Sequence, residues 1–126
     1  MKPKILVVDD EWSIQELLKS TLSLSGFDVV VAATDIEFRE KAFSEKPDVI
    51  ILDIMLGDKN GIRTYESLLD GGLDSNIPVV FLSALAEDRP PVLPKPDHLY
   101  SLIGKPFDSE ALVRHLHELV DSHESC

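Results

Sequence analysis

Apolar residues concentrate in short runs, Ile5 to Val8, Val29 to Val31, Val49 to Leu52, Val79 to Leu82 and Leu99 to Ile103, set between longer stretches of mixed polarity. Short, predominantly apolar runs of this length predict strands covered on both faces, as in a parallel sheet. The stretches between them carry helical spacing. Ile14, Leu17, Leu18, Thr21 and Leu22 predict a first helix, stopped near Gly26. Thr34 followed by Glu37 has the form of a capping box, opening a second helix that closes before Pro47. Ile62, Tyr65, Leu68 and Leu69 mark a third, ended by Gly71 and Gly72. Asp108 caps a last one, with an apolar stripe of Leu112, Val113, Leu116, Leu119 and Val120. Strands and helices in alternation predict an α/β protein: a three-layer α/β/α sandwich around a five-stranded parallel sheet with right-handed crossovers.

One connection departs from this rhythm. RPPVLPKP, residues 89–96, holds four prolines where a fourth helix would join strands four and five. Each interior proline costs a helix about 3 kcal/mol. The expectation is irregular or polyproline-like chain, with at most a short turn over residues 84–88 and a missing or degenerate fourth helix. PVLP, residues 91–94, also fits a PxxP ligand, although a covering for the sheet explains it more simply.

The chain length of 126 residues suits one domain with a core of its own, assigned to residues 1–121 with a C-terminal tail over 122–126. The single cysteine, Cys126, is the last residue, so no internal disulfide is expected. No signal peptide precedes the first strand and no apolar run approaches spanning length, which together predict a cytoplasmic setting without a membrane partner. With 23 acidic against 12 basic residues, the net charge of −11 opposes direct nucleic acid binding by this domain. Most of that charge serves solubility. Only clustered acids call for a functional reading.

Such a cluster is predicted at one edge of the sheet. Asp9, Asp10 and Glu11 follow the first apolar run, Asp53 the third, Ser83 the fourth, and Lys105 follows the fifth across Gly104. In a parallel sheet all these carboxyl ends share one edge, where open α/β sheets bind ligands. An ionised carboxylate such as Asp53 at the end of a buried strand costs several kcal/mol unless compensated. Carboxylates brought together there would repel one another unless a cation shared them, and a hard divalent ion, Mg²⁺, suits oxygen ligands with coordination positions left open for phosphate. With Mg²⁺ and the Lys105 ammonium neutralising a phosphoryl group and Ser83 donating to it, the Asp53 carboxylate can act as an in-line nucleophile on phosphorus. Taken singly each residue has a plainer role: Asp10 or Glu11 as a helix cap, Ser83 as a turn residue, Lys105 as a surface lysine. Their conjunction at one edge points to chemistry.

At these residues the chain resembles, over almost its whole length, the receiver domains of two-component response regulators. The resemblance rests on ILVVDDE (5–11), PDVIILDIML (47–56) with NG (60–61), FLSA (81–84) and GKPF (104–107), in this order and spacing. It implies a flavodoxin-like sheet of order 2-1-3-4-5 and a phosphoprotein in which Asp53 is the phospho-acceptor. It implies further that Asp10 and Asp53 ligate Mg²⁺ directly, with Asp9 acting mainly through water and the Met55 main-chain carbonyl as third protein ligand. Ser83 would be the switch hydroxyl and Lys105 the phosphate-binding cation, joined to Pro106 by a cis bond. The implied partners are a sensor histidine kinase or phosphotransfer protein as donor and an output domain or protein target as recipient of the signal.

Departures from the family pattern carry their own expectations. The position three before Lys105, commonly aromatic, is Leu102, with Tyr100 two residues earlier on the same strand face. Without the usual fourth helix, the dimer face commonly built on it is not expected to operate. Gly57 stands where proline is common, and Met55 cannot orient an attacking water through a charge or amide, which predicts slow self-dephosphorylation. Two other functions remain open from the sequence: a phosphorylation-independent interaction module on the same fold, and a phosphatase of the haloacid dehalogenase type. The latter places its nucleophile after the first strand in a DxD pattern, whereas the third position here is Glu11. A flavodoxin-like cofactor binder fits less well, because acids after the first strand repel phosphate.

Overall fold

The computed structural model describes residues 2–83, 100–104 and 107–124. The proline segment 89–96 and its PVLP motif, the expected loss of the fourth helix, Lys105 and Pro106 with their expected cis bond all lie outside the described residues.

The five expected strands are β1 (Lys4–Val8), β2 (Asp28–Ala32), β3 (Val49–Asp53), β6 (Val79–Ser83) and β7 (Tyr100–Gly104). They form one parallel sheet of order β2-β1-β3-β6-β7, which is the expected 2-1-3-4-5 order once two very short strands that follow β3 are numbered. Those two, β4 (Met55–Leu56) and β5 (Lys59–Asn60), pair antiparallel as a miniature hairpin. Its turn is Gly57-Asp58, with Gly57 in the left-handed region at φ 64°.

Among the described residues there are four helices: α1 (Trp12–Leu24), α2 (Asp35–Ser44), α3 (Gly61–Asp70) and α4 (Ser109–Glu124). Their ends follow local chemistry. Thr34 Oγ1 accepts from the Glu37 N–H at 3.1 Å, while the Glu37 carboxylate reaches back to the Ala33 N–H at 2.7 Å. Asn60 Oδ1 accepts from Ile62 and Arg63 N–H at the start of α3. Asp108 Oδ1 accepts from the Glu110 N–H at 3.0 Å ahead of α4, as its position suggested. That helix runs on through Glu124.

Strand alternation divides the core between the two faces of the sheet. Leu6, Val8, Ile50, Leu52, Val79 and Phe81 pack with Phe38, Ala42, Ile62, Tyr65 and Leu68 of α2 and α3. Ile5, Val7, Val49, Ile51, Val80 and Leu82 pack with Leu18, Leu22, Leu112, Leu116 and Val120 of α1 and α4. Every residue of β3 is buried, so the strand that carries Asp53 is the most enclosed of the sheet's five among those whose side chains are all described. Leu102 packs on the α2/α3 face, next in register to Phe81, whose ring meets Tyr65 edge-on at 6.2 Å.

Candidate active site at the carboxyl edge of the sheet

β1 and β3 are hydrogen-bonded neighbours ending at the same edge, with Val8 opposite Leu52. The residues just beyond, Asp9 and Asp53, are therefore brought side by side. Asp9 is fully buried, Asp53 nearly so at 5% exposure, and Asp10 lies open to solvent. One carboxylate oxygen from each of the three can be chosen such that all lie within 4.8 Å of one another. This is a set of hard oxygen donors, graded from interior to surface, with the dimensions to share a divalent cation.

Main-chain N–H groups hold each carboxylate. Glu11 N–H donates to Asp9 Oδ1 at 2.9 Å, and Met55 N–H to Asp53 Oδ1 at 3.0 Å, both two residues along the chain. Gly57 N–H donates to Asp10 Oδ2 at 3.1 Å across 47 residues of sequence. The plainer helix-cap role is not taken up: Glu11 occupies the N-cap position of α1 without a side-chain cap bond, and Asp10 bonds the hairpin instead. Gln15, one turn into α1, donates from Nε2 to the Asp9 carbonyl at 2.6 Å and fixes the loop from behind.

The start of α3 closes on the same strand end. Gly61 N–H donates to the Ile54 carbonyl at 2.6 Å, and a β-carbon on Gly61 would sit 2.4 Å from the Asp53 carbonyl oxygen. Only glycine permits this approach. The NG pair was legible as a turn signal, but the contact with Asp53 was not, because it depends on where the hairpin returns the chain.

The remaining expected site residues are placed as follows. Asp53 stands in register with Leu82, so Ser83 is the next residue on the neighbouring strand, partly exposed and opposite Gly104. Lys105, beyond Gly104, lies outside the described residues. Met55 is 56% exposed at the mouth of the hairpin. Neither the hairpin nor the roles of Gln15, Gly57 and Gly61 were anticipated from the sequence.

The response regulator receiver domain family matches residues 5–117. The chain belongs to that family. Among curated relatives, the alkaline phosphatase synthesis transcriptional regulatory protein PhoP of Bacillus subtilis is 44% identical over 93 residues, covering 74% of this chain and 38% of that protein. The DNA-binding dual master transcriptional regulator RpaA of Synechocystis is 30% identical over 118 residues, 94% of this chain and 49% of that protein. The chain thus spans about half, or less, of these relatives. Among solved structures, a CheY-like receiver domain protein from Methanospirillum hungatei superposes with a TM-score of 0.83 at 24% identity, covering 99% of this chain and 98% of the other. The receiver domain is therefore a member of a two-component signalling family with the flavodoxin-like fold, and its five-stranded parallel sheet has the expected strand order. The receiver domain of sensor histidine kinase PA1611 from Pseudomonas aeruginosa, solved with a magnesium ion coordinated in its active site cleft, superposes with a TM-score of 0.81 at 20% identity, covering 96% of this chain and 99% of the other. Among the described residues no helix is long and apolar enough to cross a membrane.

Proposed function

We propose that this receiver domain accepts a phosphoryl group on Asp53 in a magnesium-dependent reaction and passes the signal on as a shift between two conformational states. The observation that carries the reading is the convergence of the Asp9, Asp10 and Asp53 carboxylates at one sheet edge, in a chain of the receiver family. The donor is a phosphohistidine of a sensor histidine kinase or phosphotransfer protein. A carboxylate oxygen of Asp53 attacks phosphorus, the phosphorus to nitrogen bond of the donor breaks, and the imidazole leaves with the bonding pair.

Asp10 and Asp53, with the main-chain carbonyl of Met55, would hold the metal, and Asp9 would act mainly through bound water. When bound, the ion offsets the clustered carboxylates and the charge on the phosphoryl oxygens. Ser83 lies one residue past the register partner of Asp53, where its hydroxyl can donate to the phosphoryl group in one state. Lys105 supplies the second cation. Such charge-assisted bonds are the differential interactions that bias a two-state element, and about 5.5 kcal/mol takes a 1:99 mixture to 99:1. We place the domain in the cytoplasm, with an attached output domain or a separate protein target reading the state of Asp53.

The test is incubation with a small acyl phosphate and Mg²⁺, followed by intact-protein mass measurement. One phosphoryl group is expected on the wild type and none on Asp53→Asn. Absence of modification in both would leave a phosphorylation-independent interaction module as the function. The exposed, uncharged Met55 supports a long-lived phosphoprotein, and a lifetime of seconds near neutral pH would contradict that expectation.

A further inference from the structure

We propose that the Met55 thioether is a redox modification site: a peroxide converts it to a sulfoxide that shortens the life of the phosphoryl group on Asp53. This rests on the reading of Asp53 as phospho-acceptor and goes beyond it in assigning a control on how long the signal lasts.

Met55 opens β4, and the next residue, Leu56, takes the buried position of that strand. Side chains alternate along a strand, so Met55 faces outward and is 56% exposed. Its sulfur is the only one among the described residues. It is also tied to the acceptor, since Met55 N–H donates to Asp53 Oδ1 at 3.0 Å. A methionine side chain is long, unbranched and adaptable, so from this backbone position the thioether can reach over the Asp53 carboxylate. The polar side chains that follow serve other contacts. Asn60, opposite Met55 in the hairpin, uses Oδ1 to cap α3, while Asp58 and Lys59 line a cleft against Asp35 and Arg39 of α2. Position 55 is left to set the polarity beside the acceptor.

In the reduced protein that polarity is low, because a thioether is a weak acceptor and orients water poorly. Oxidation reverses this. The sulfur lone pair forms the S–O bond as the O–O bond of hydrogen peroxide breaks, and the other oxygen leaves as water; sulfur is oxidised and the peroxide reduced. The product is polar where the thioether was apolar. Its oxygen accepts a hydrogen bond from a water and places that water for attack on phosphorus. The bond from the Asp53 oxygen to phosphorus then breaks, inorganic phosphate departs and the carboxylate is restored. The sulfoxide orients the water without taking its proton, so its effect is smaller than that of a positioned general base. Methionine sulfoxide reductases return the thioether, which makes the change reversible.

The test uses the whole chain. It is treated with hydrogen peroxide, the peroxide is removed, and peptide mass mapping locates the added oxygen. Treated and untreated samples are phosphorylated with a small acyl phosphate and Mg²⁺, the donor is removed, and loss of the phosphoryl group is followed by intact-protein mass. The oxidised wild type should lose it several-fold faster than the untreated protein, and a methionine sulfoxide reductase should restore the slow rate. Met55→Leu, which keeps Met1 and Cys126, should show no response to peroxide. Met55→Gln carries an acceptor oxygen permanently and should lose the phosphoryl group several-fold faster than the untreated wild type without any peroxide, a readout independent of selective oxidation. An unchanged or slower loss after oxidation of Met55, an equal response in Met55→Leu, a Met55 left unoxidised while Met1 and Cys126 react, or a Met55→Gln protein as long-lived as the wild type would overturn the proposal. No phosphoryl group on the untreated wild type would instead remove the reading of Asp53 on which it rests.

Discussion

The two edges of the same sheet use aspartate in opposite ways. At the amino edge, Asp48 accepts from the Lys4 N–H at 2.7 Å and returns its own N–H to the Lys4 carbonyl, while Lys4 Nζ meets Glu45 at 3.1 Å. Acid and base are matched where they stand. At the carboxyl edge, Asp9, Asp10 and Asp53 are instead gathered within 4.8 Å of one another, and two of the three are buried. Like charges at that distance are unfavourable, and burial makes them more so. A fold that matches its acids at one edge and concentrates them at the other has put its structural pairing and its chemistry at separate ends of the same strands.

This contrast can be broken or sharpened by experiment. The largest effect should come from the ion. Magnesium at about 100 times its dissociation constant should raise the unfolding free energy by about 2.7 kcal/mol, read by denaturant titration with and without the metal. Asp9→Asn should reduce that increment while leaving the metal-free protein as stable as the wild type or more so, because one like charge is gone. An unchanged response to magnesium would mean that Asp9 is no part of the site.

Gly61→Ala should come next. A β-carbon 2.4 Å from the Asp53 carbonyl forces the strand end or the start of α3 to move. Overpacking of this kind costs about 1–3 kcal/mol, and here the displaced peptide carries the phospho-acceptor. Phosphoryl uptake from a small acyl phosphate should therefore slow under conditions where the variant remains fully folded, as checked by circular dichroism. Uptake at the wild-type rate would show that the close approach is a packing detail.

The smallest effect belongs to the amino edge. Lys4→Met removes a partly exposed ion pair, worth about 0–1 kcal/mol. It should leave both magnesium affinity and phosphoryl uptake unchanged. A clear loss of either would mean that the two edges are not independent.

Most of the architecture was legible in the chain. Val49 to Leu52 reads as a doubly covered strand because both faces of β3 meet helices, and the helix starts at Thr34 and Asp108 are written in side chains that bond their own neighbours. The list of candidate residues was legible too, because the acids and Ser83 follow apolar runs whose carboxyl ends must share an edge. The hairpin of Met55–Leu56 with Lys59–Asn60 was not, since two-residue strands leave no periodic trace. Nor was the donor for Asp10, which lies 47 residues away in sequence.

The sequence by itself determined the layers, the parallel sheet and the identity of the clustered acids, all of which follow from local periodicity and from the polar residues that end each apolar run. The tertiary structure alone decided how those acids are held: that Gly57 reaches Asp10, that Gly61 abuts the Asp53 carbonyl, and that Gln15 braces Asp9 from α1. The physical reason is range. Periodicity and capping are set within a turn or two of chain, whereas these contacts exist only after the crossovers return distant segments to one edge, and their short distances are fixed by the packing of the core beneath them.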